Sequence, residues 1–264
     1  MKDETSQWYL PLRGDENILL GRKSTLRRIP INITPKQAFF IDGIRHAAEI
    51  LDIAYERLRT GLTTVATNSP QPEDLPHVGA ALFLDAWAVV DAIDKFRQLY
   101  LAFPGMTRPD ATGKNTSARE ALQTFRDLRN IGDHLAAKAD WVVAKDGGAA
   151  LGELTWLTGA QLLPSVVVWD CILRPGTMRS RPTLSTSPIE STLDWPTDCI
   201  CLKIGNHQEN ISKIRIHIAA LIRHLEFQLE SIFSRPEHND TPIINDFFGK
   251  RPLQPKHPII VNDH

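Results

Sequence analysis

Cysteine is scarce in this 264-residue chain. There are three, Cys171, Cys199 and Cys201, an odd number in a sequence long enough to build a core without disulfide staples. A disulfide scaffold is therefore excluded, and a reducing compartment fits. Cys199 and Cys201 would share one face of a strand and, with Cys171 and His207, make a conceivable Cys3His set. However, C-x-C lacks the usual knuckle spacing, and cysteine is a common small core residue, so no metal is expected. Excess charge of one sign is also missing: 30 Lys and Arg against 31 Asp and Glu leave a formal net charge of -1. That rules out a chain basic enough to grip nucleic acid over its whole surface, so any RNA contact must be local. Long apolar runs are absent too. The best, Gly79 to Val90, is short and interrupted by Asp85, and the opening MKDETSQWYL lacks the basic-then-apolar order of a secretory signal. The expectation is a soluble cytoplasmic protein with no membrane partner. Signatures of nucleotide hydrolysis, dinucleotide redox chemistry and zinc proteolysis are missing: there is no Walker A loop, G-x-G-x-x-G, H-E-x-x-H or G-x-S-x-G. No cofactor is expected.

What is present is helical periodicity. With 42% hydrophobic and 23% charged residues the chain can bury a sizeable core. Ile41, Ile44, Ala48, Leu51, Tyr55, Leu58 and Leu62 recur in steps of three and four and predict a first helix over 35–62, capped by Thr34 with Pro35 at its first position. A second helix follows the polar stretch Asn68 to Pro76 and runs to about Phe103. It carries two apolar seams: Leu82, Ala86, Val89, Ile93, Phe96 and Tyr100 on one, Phe83, Trp87, Val90, Asp94, Arg97 and Leu101 on the other. Such a helix belongs at the centre of a bundle, and Asp94, seated where an apolar residue is due, needs a partner. Arg97 or an arginine from another helix would serve.

Ser117-Ala-Arg-Glu120 has the form of a capping box and predicts a third helix over about 117–139. Strands are expected next, at Trp141 to Lys145, Leu151 to Leu157, Ser165 to Leu173 and Cys199 to Ile204, with Asp146-Gly147-Gly148 as a hairpin turn. Runs near Asn17 to Leu20 and Arg28 to Ile33 are candidate edge strands. A fourth helix is expected over 211–233 and a Pro-rich tail over 235–264. The predicted class is α+β, mainly α. It comprises an N-terminal segment, 1–34, and four long helices in an up-and-down bundle over 35–234, with a small antiparallel sheet inserted at about 140–206.

One motif carries chemistry: Arg129-Asn130-Ile131-Gly132-Asp133-His134, an R-N-x-x-x-H hexad in the third helix. Arginine offers a fork of donors to a phosphodiester and histidine titrates near neutrality, so together they can hold an RNA backbone and move a proton on it. Residues five apart lie roughly 140 degrees apart on an ideal helix, so sharing a substrate requires a curled arginine or a distortion, which Gly132 makes cheap. Gln123, Asp127, Asn130, His134 and Lys138 form an outward polar stripe. Arg129 could equally be a bundle arginine bridged to Asp94 or Asp91, and His134 an ordinary surface histidine.

An arginine followed by Asn, with a histidine a few residues beyond, late in one helix of a bundle, resembles the HEPN superfamily. The resemblance covers about 35–140 and the last helix. A second match by spacing, Arg251 to His257, falls in the tail where no bundle helix is expected. The resemblance implies a homodimer whose two motifs line a shared cleft that cleaves RNA without a metal. Carried onto this chain, His134 would be general base or acid at the ribose hydroxyl, Arg129 would hold the phosphate, and Asn130 would orient one of them. Asp94, Asp91 and Asp133 would support these groups. Local RNA contacts are expected from Arg126 and Lys138, and from Lys213 and Arg215 on the last helix, with Arg174, Arg179 and Arg181 in the long loop as further basic residues. Trp141, Trp156, Trp169 and Trp195 could stack bases, although tryptophans in strands are usually sheet cover. An antitoxin-like protein is a second kind of partner that fits the resemblance. The rival expectation is a non-catalytic module that keeps the bundle for dimerisation or ligand sensing and binds a partner through its sheet.

Overall fold

The computed structural model describes residues 18–104, 116–146, 149–162, 165–176, 196–234 and 246, with the side chains of 116–119, 121, 144–146, 160–162 and 165–166 outside that description. The fold is α+β and mainly helical. Its elements are α1 (Pro35–Asn68), α2 (Leu75–Ala102), α3 (Thr116–Asp133), α4 (Ala139–Asp146), β1 (Glu153–Leu162), β2 (Ser165–Leu173), β3 (Thr197–Ile204), β4 (His207–Asn210) and α5 (Ile211–Phe233).

Helix α1 starts where capping chemistry dictates. Thr34 accepts from the Gln37 backbone N–H while the Gln37 side chain reaches back to the Thr34 N–H, and Pro35 opens the first turn. It runs six residues past the predicted end and stops at Ser69, whose φ of 46° is left-handed. Helix α2 lies antiparallel to it. The two approach closely at Gly43 and Gly61, where a Cβ would come within 2.7 Å of Leu99 Cδ1 and 2.6 Å of Leu82 Cδ2. Both seams of α2 are buried, the first from Leu82 to Tyr100, the second through Phe83, Val90, Asp94 and Arg97. Each fully buried Phe or Leu on these faces contributes roughly 1.5–3 kcal/mol. Although α2 is long and apolar enough to cross a membrane by length and composition, half of its most apolar window is covered by the protein, and it holds buried, paired Asp85 and Asp94.

The sheet has the order β2-β1-β3-β4, all antiparallel. Leu154, Trp156, Ile200, Leu202 and Ile204 join the same core cluster as the helices, and Tyr55 of α1 donates to Ser212 of α5 behind β3. Between Thr155↔Cys201 and Leu157↔Asp198 strand β3 carries one extra residue, and Cys199 there adopts a φ of 54°. The bulge breaks the strict alternation expected for Cys199 and Cys201.

Several expectations are corrected. Residues 141–145 are not a strand but most of α4, because a short apolar run has no decisive period and the backbone continues helically, with Val142 N–H donating to Lys138 O at 2.9 Å. Asp146 therefore ends a helix, and Gly147 and Gly148 lie outside the described residues; the hairpin is instead β1–β2, with Leu162 paired to Ser165. The third helix ends at Asp133, six residues early. Among the described N-terminal residues no edge strand forms. Thr25–Arg27 is a 3-10 turn capped by Ser24, Pro30 makes an isolated bridge, and Asn17 is outside the described residues. Strand β4 was not expected; its sequence, His-Gln-Glu-Asn, has no apolar residue to mark it. The tail over 235–264, including the Arg251 to His257 match, lies outside the described residues except Asp246.

Candidate functional site

The site begins with a buried carboxylate. Asp94, 2% exposed on α2, has both oxygens occupied: Oδ1 accepts from Arg97 Nε at 2.9 Å, and Oδ2 from Arg129 Nη1 at 2.7 Å and Gln98 Nε2 at 2.6 Å. Burial pushes its pKa up, but the hydrogen bonds from Arg129, Arg97 and Gln98 outweigh that and hold it below the usual carboxylate range. Both partners anticipated for Asp94 are used at once.

Arg129 is drawn across the α2–α3 interface. Its Nε lies 2.8 Å from Asp91 Oδ1 without the alignment of a hydrogen bond, and 3.5 Å from Asp133 Oδ2. The Asp94 hydrogen bond, chiefly, raises its pKa further. Nη2 donates to no described residue. Helix α3 can approach α2 this closely because Gly132 sits against Trp87, where a Cβ would fall 2.8 Å from Cζ3.

Asn130 and His134 are exposed, and His134 follows the last residue of α3. The helical ladder nevertheless persists: His134 N–H donates to Asn130 O at 3.3 Å, and Lys138 N–H to His134 O at 3.1 Å. Asn130, His134 and Lys138 thus form a row one turn apart, as the stripe predicts. The His134 imidazole and the Asn130 amide make no side-chain hydrogen bond among the described residues. Arg129 is half-buried against acids, while His134 faces outward.

The row ends on an aromatic group. Lys138 Nζ lies 5.9 Å from the Trp141 ring centroid, and the His207 ring of β4 lies 5.9 Å away at 49°. Glu209, two residues along β4, faces Thr124 and Asp127 of α3; burial raises its pKa, opposed by the Thr124 hydrogen bond. Glu209 reaches α3, and His207 reaches Trp141 of α4, through a strand that sequence pattern did not reveal. A turn signal was present, since Gly205-Asn206 separates two polar-ended runs.

Other expected contacts scatter. Arg126 is exposed on α3. Lys213 is exposed at the start of α5, its backbone N–H capped by Asn210. Arg215 faces inward, its Nη2 2.7 Å from Asp52 Oδ1 and its guanidinium 5.0 Å from the Tyr55 ring centroid, so it braces α5 on α1. Arg174 pairs with Glu153 at 2.6 Å, and Arg179, Arg181 and Trp195 lie outside the described residues. Trp156 is core. No group of three or more His, Cys, Asp or Glu among the described residues is placed to hold a metal. A cavity of about 490 Å³ lies between α1 and the N-terminal segment, lined by Arg27, Arg45, Glu49 and Asp52 among others, none of them from the hexad. Compared with protein-family models, with curated proteins and with solved structures, the chain matches none.

Proposed function

We propose that this chain is a HEPN-like protein that acts on RNA as a metal-independent endoribonuclease, as a homodimer whose composite cleft is built around Arg129 and His134. The observation that carries the reading is the division of labour within the hexad: Arg129 is fixed by Asp94, whereas His134 is exposed at the end of the helix and its imidazole makes no hydrogen bond among the described residues. A preset guanidinium whose Nη2 donates to no described residue and an exposed imidazole are the two groups phosphodiester transfer needs. His134 takes the proton of a ribose 2′-hydroxyl, the 2′-oxygen attacks the adjacent phosphorus, and the 5′-oxygen leaves with a proton from the imidazolium of the other copy. The products are a 2′,3′-cyclic phosphate and a 5′-hydroxyl. Asn130, one turn before His134, orients the reacting group. Cleavage of RNA in EDTA tests this, with His134→Ala expected to abolish it; undiminished activity in that variant ends the assignment.

A second reading is favoured by a different observation. Asp91, Asp94 and Asp133 surround Arg129 with more negative charge than it and Arg97 carry, which opposes a phosphate. On that reading Arg129 clamps the bundle of a non-catalytic dimerisation or partner-binding module. Purified chain that never cleaves RNA, yet is strongly destabilised by Arg129→Ala, selects it.

A further inference from the structure

The polar row of α3 leads to a tryptophan that packing requirements do not fully explain. Trp141 stands in the first turn of α4, and its ring lies on the β3–β4 turn at Gly205, whose φ is 57° and where any Cβ would collide with Cζ3 and Cη2. The ring is therefore positioned by backbone. It is only half-buried, and its indole N–H donates to no described residue. The other described tryptophans differ: Trp156 is 2% exposed in the core, Trp87 donates to Leu151 O at 3.1 Å, and Trp169, 36% exposed on β2, has no ring or cation–π contact among the described residues, unlike Trp141.

Around Trp141 the structure gathers groups that suit a nucleobase with its phosphate. His207 offers a second flat ring. Lys138 rests over the indole at the limit of cation–π range, and an exposed lysine held so loosely swings aside cheaply, keeping its ammonium near the ligand. His134 lies one helical turn beyond Lys138, roughly 5 Å along the axis.

We propose that Trp141, Lys138 and His207 form a stacking subsite for one unpaired base of single-stranded RNA, next to His134 along the strand. This rests on the RNA reading above and narrows its substrate to unpaired segments, because a paired base does not present a face to Trp141. Lys138 is the one lysine or arginine of the subsite, so affinity comes from stacking and depends only weakly on salt, with a log–log slope of about 1 or less.

The test is fluorescence anisotropy of labelled eight-nucleotide oligo(A) with 2′-O-methyl riboses, which cannot be cleaved. Trp141→Leu is expected to weaken binding about tenfold or more, Lys138→Ala about threefold, and Trp141→Phe less than threefold. Should Trp141→Leu fail to fold, tryptophan quenching decides: wild type is quenched by the oligonucleotide and Trp141→Phe loses that quenching. Equal quenching in the two proteins, unchanged affinity in Trp141→Leu, equal binding of a duplex of the same length, or no binding by wild type each overturns the subsite. Cleavage of unmodified RNA is read separately. Binding that depends on Trp141 without any cleavage leaves the subsite standing and ends the nuclease reading; His134-dependent cleavage with Trp141-independent binding does the reverse.

Discussion

Arg129 of α3 donates through Nη1 to Oδ2 of Asp94 on α2 at 2.7 Å, joining two helices through a carboxylate that is 2% exposed. Removing the carboxylate takes away the charge that two guanidiniums share, whereas removing Arg129 leaves Asp94 with two of its three donors. Asp94→Ala is expected to cost about 3 kcal/mol or more, since it takes the carboxylate away from the buried Arg97 guanidinium, while Arg129 keeps Asp91 and Asp133. Arg129→Ala should cost about 2 kcal/mol, because Arg97 and Gln98 still serve Asp94. Urea unfolding of both singles and the double variant checks this, and the double should lose less than the sum.

The same pairing sets a pH dependence. Asp94 titrates lower in the folded protein than in the unfolded chain, so its contribution is complete above the unfolded value, near 3.8, and fades as pH falls through the lower folded value. Glu209 works in the opposite sense. Its raised pKa means that ionising it costs stability once pH exceeds the folded value, so Glu209→Gln should be neutral or stabilising at pH 7, with no such gain at pH 4. Thermal melts from pH 7 to below 3.8 separate the two, the Glu209 effect appearing above pH 4 and the Asp94 effect only under 3.8.

Gly205 is held by two constraints at once, a left-handed backbone and the Trp141 ring against its Cα. Gly205→Ala should therefore destabilise by about 2 kcal/mol and change the emission of Trp141. Gly132→Ala has a normal helical backbone, and only Trp87 must give way, so about 1 kcal/mol or less is expected.

His134 makes no side-chain hydrogen bond among the described residues and is exposed, so His134→Ala should leave the unfolding free energy within about 0.5 kcal/mol of wild type. Any effect on RNA then reports chemistry rather than folding. Circular dichroism melts alongside the cleavage assay establish this.

Burial, chiefly, and Asp170 push the Cys171 thiol to about 11. Its thiolate fraction at pH 8 is then about a hundredfold below that of an ordinary cysteine, and Cys199 and Cys201 are buried. Alkylation of the native protein at pH 8 should be correspondingly slow and become rapid in urea, as mass spectrometry would show.

Local signals read well where they were self-sufficient. Thr34 and Pro35 mark the start of α1, the two seams of α2 both reach the core, and α5 occupies the predicted 211–233. Asp94, misplaced among apolar positions, announced a buried partner before any partner was visible. Residues 141–145 misled because four or five apolar residues fit a strand as well as a helix, and only the ladder continuing from His134 through Lys138 resolves them. The hexad was legible as a motif, but its helix ends at Asp133 where Gly132 meets Trp87, a contact between residues 45 apart in sequence.

Period, caps and the out-of-place aspartate belong to the sequence itself, because they depend on neighbours within one or two helical turns. Which acids surround Arg129, that Arg215 turns inward to Asp52, and that His207 comes to lie beside Trp141 were decided only by tertiary structure. Asp133 aside, those relationships join residues 35 to 163 positions apart, whose meeting is set by how whole helices and strands pack and by no pattern along the chain.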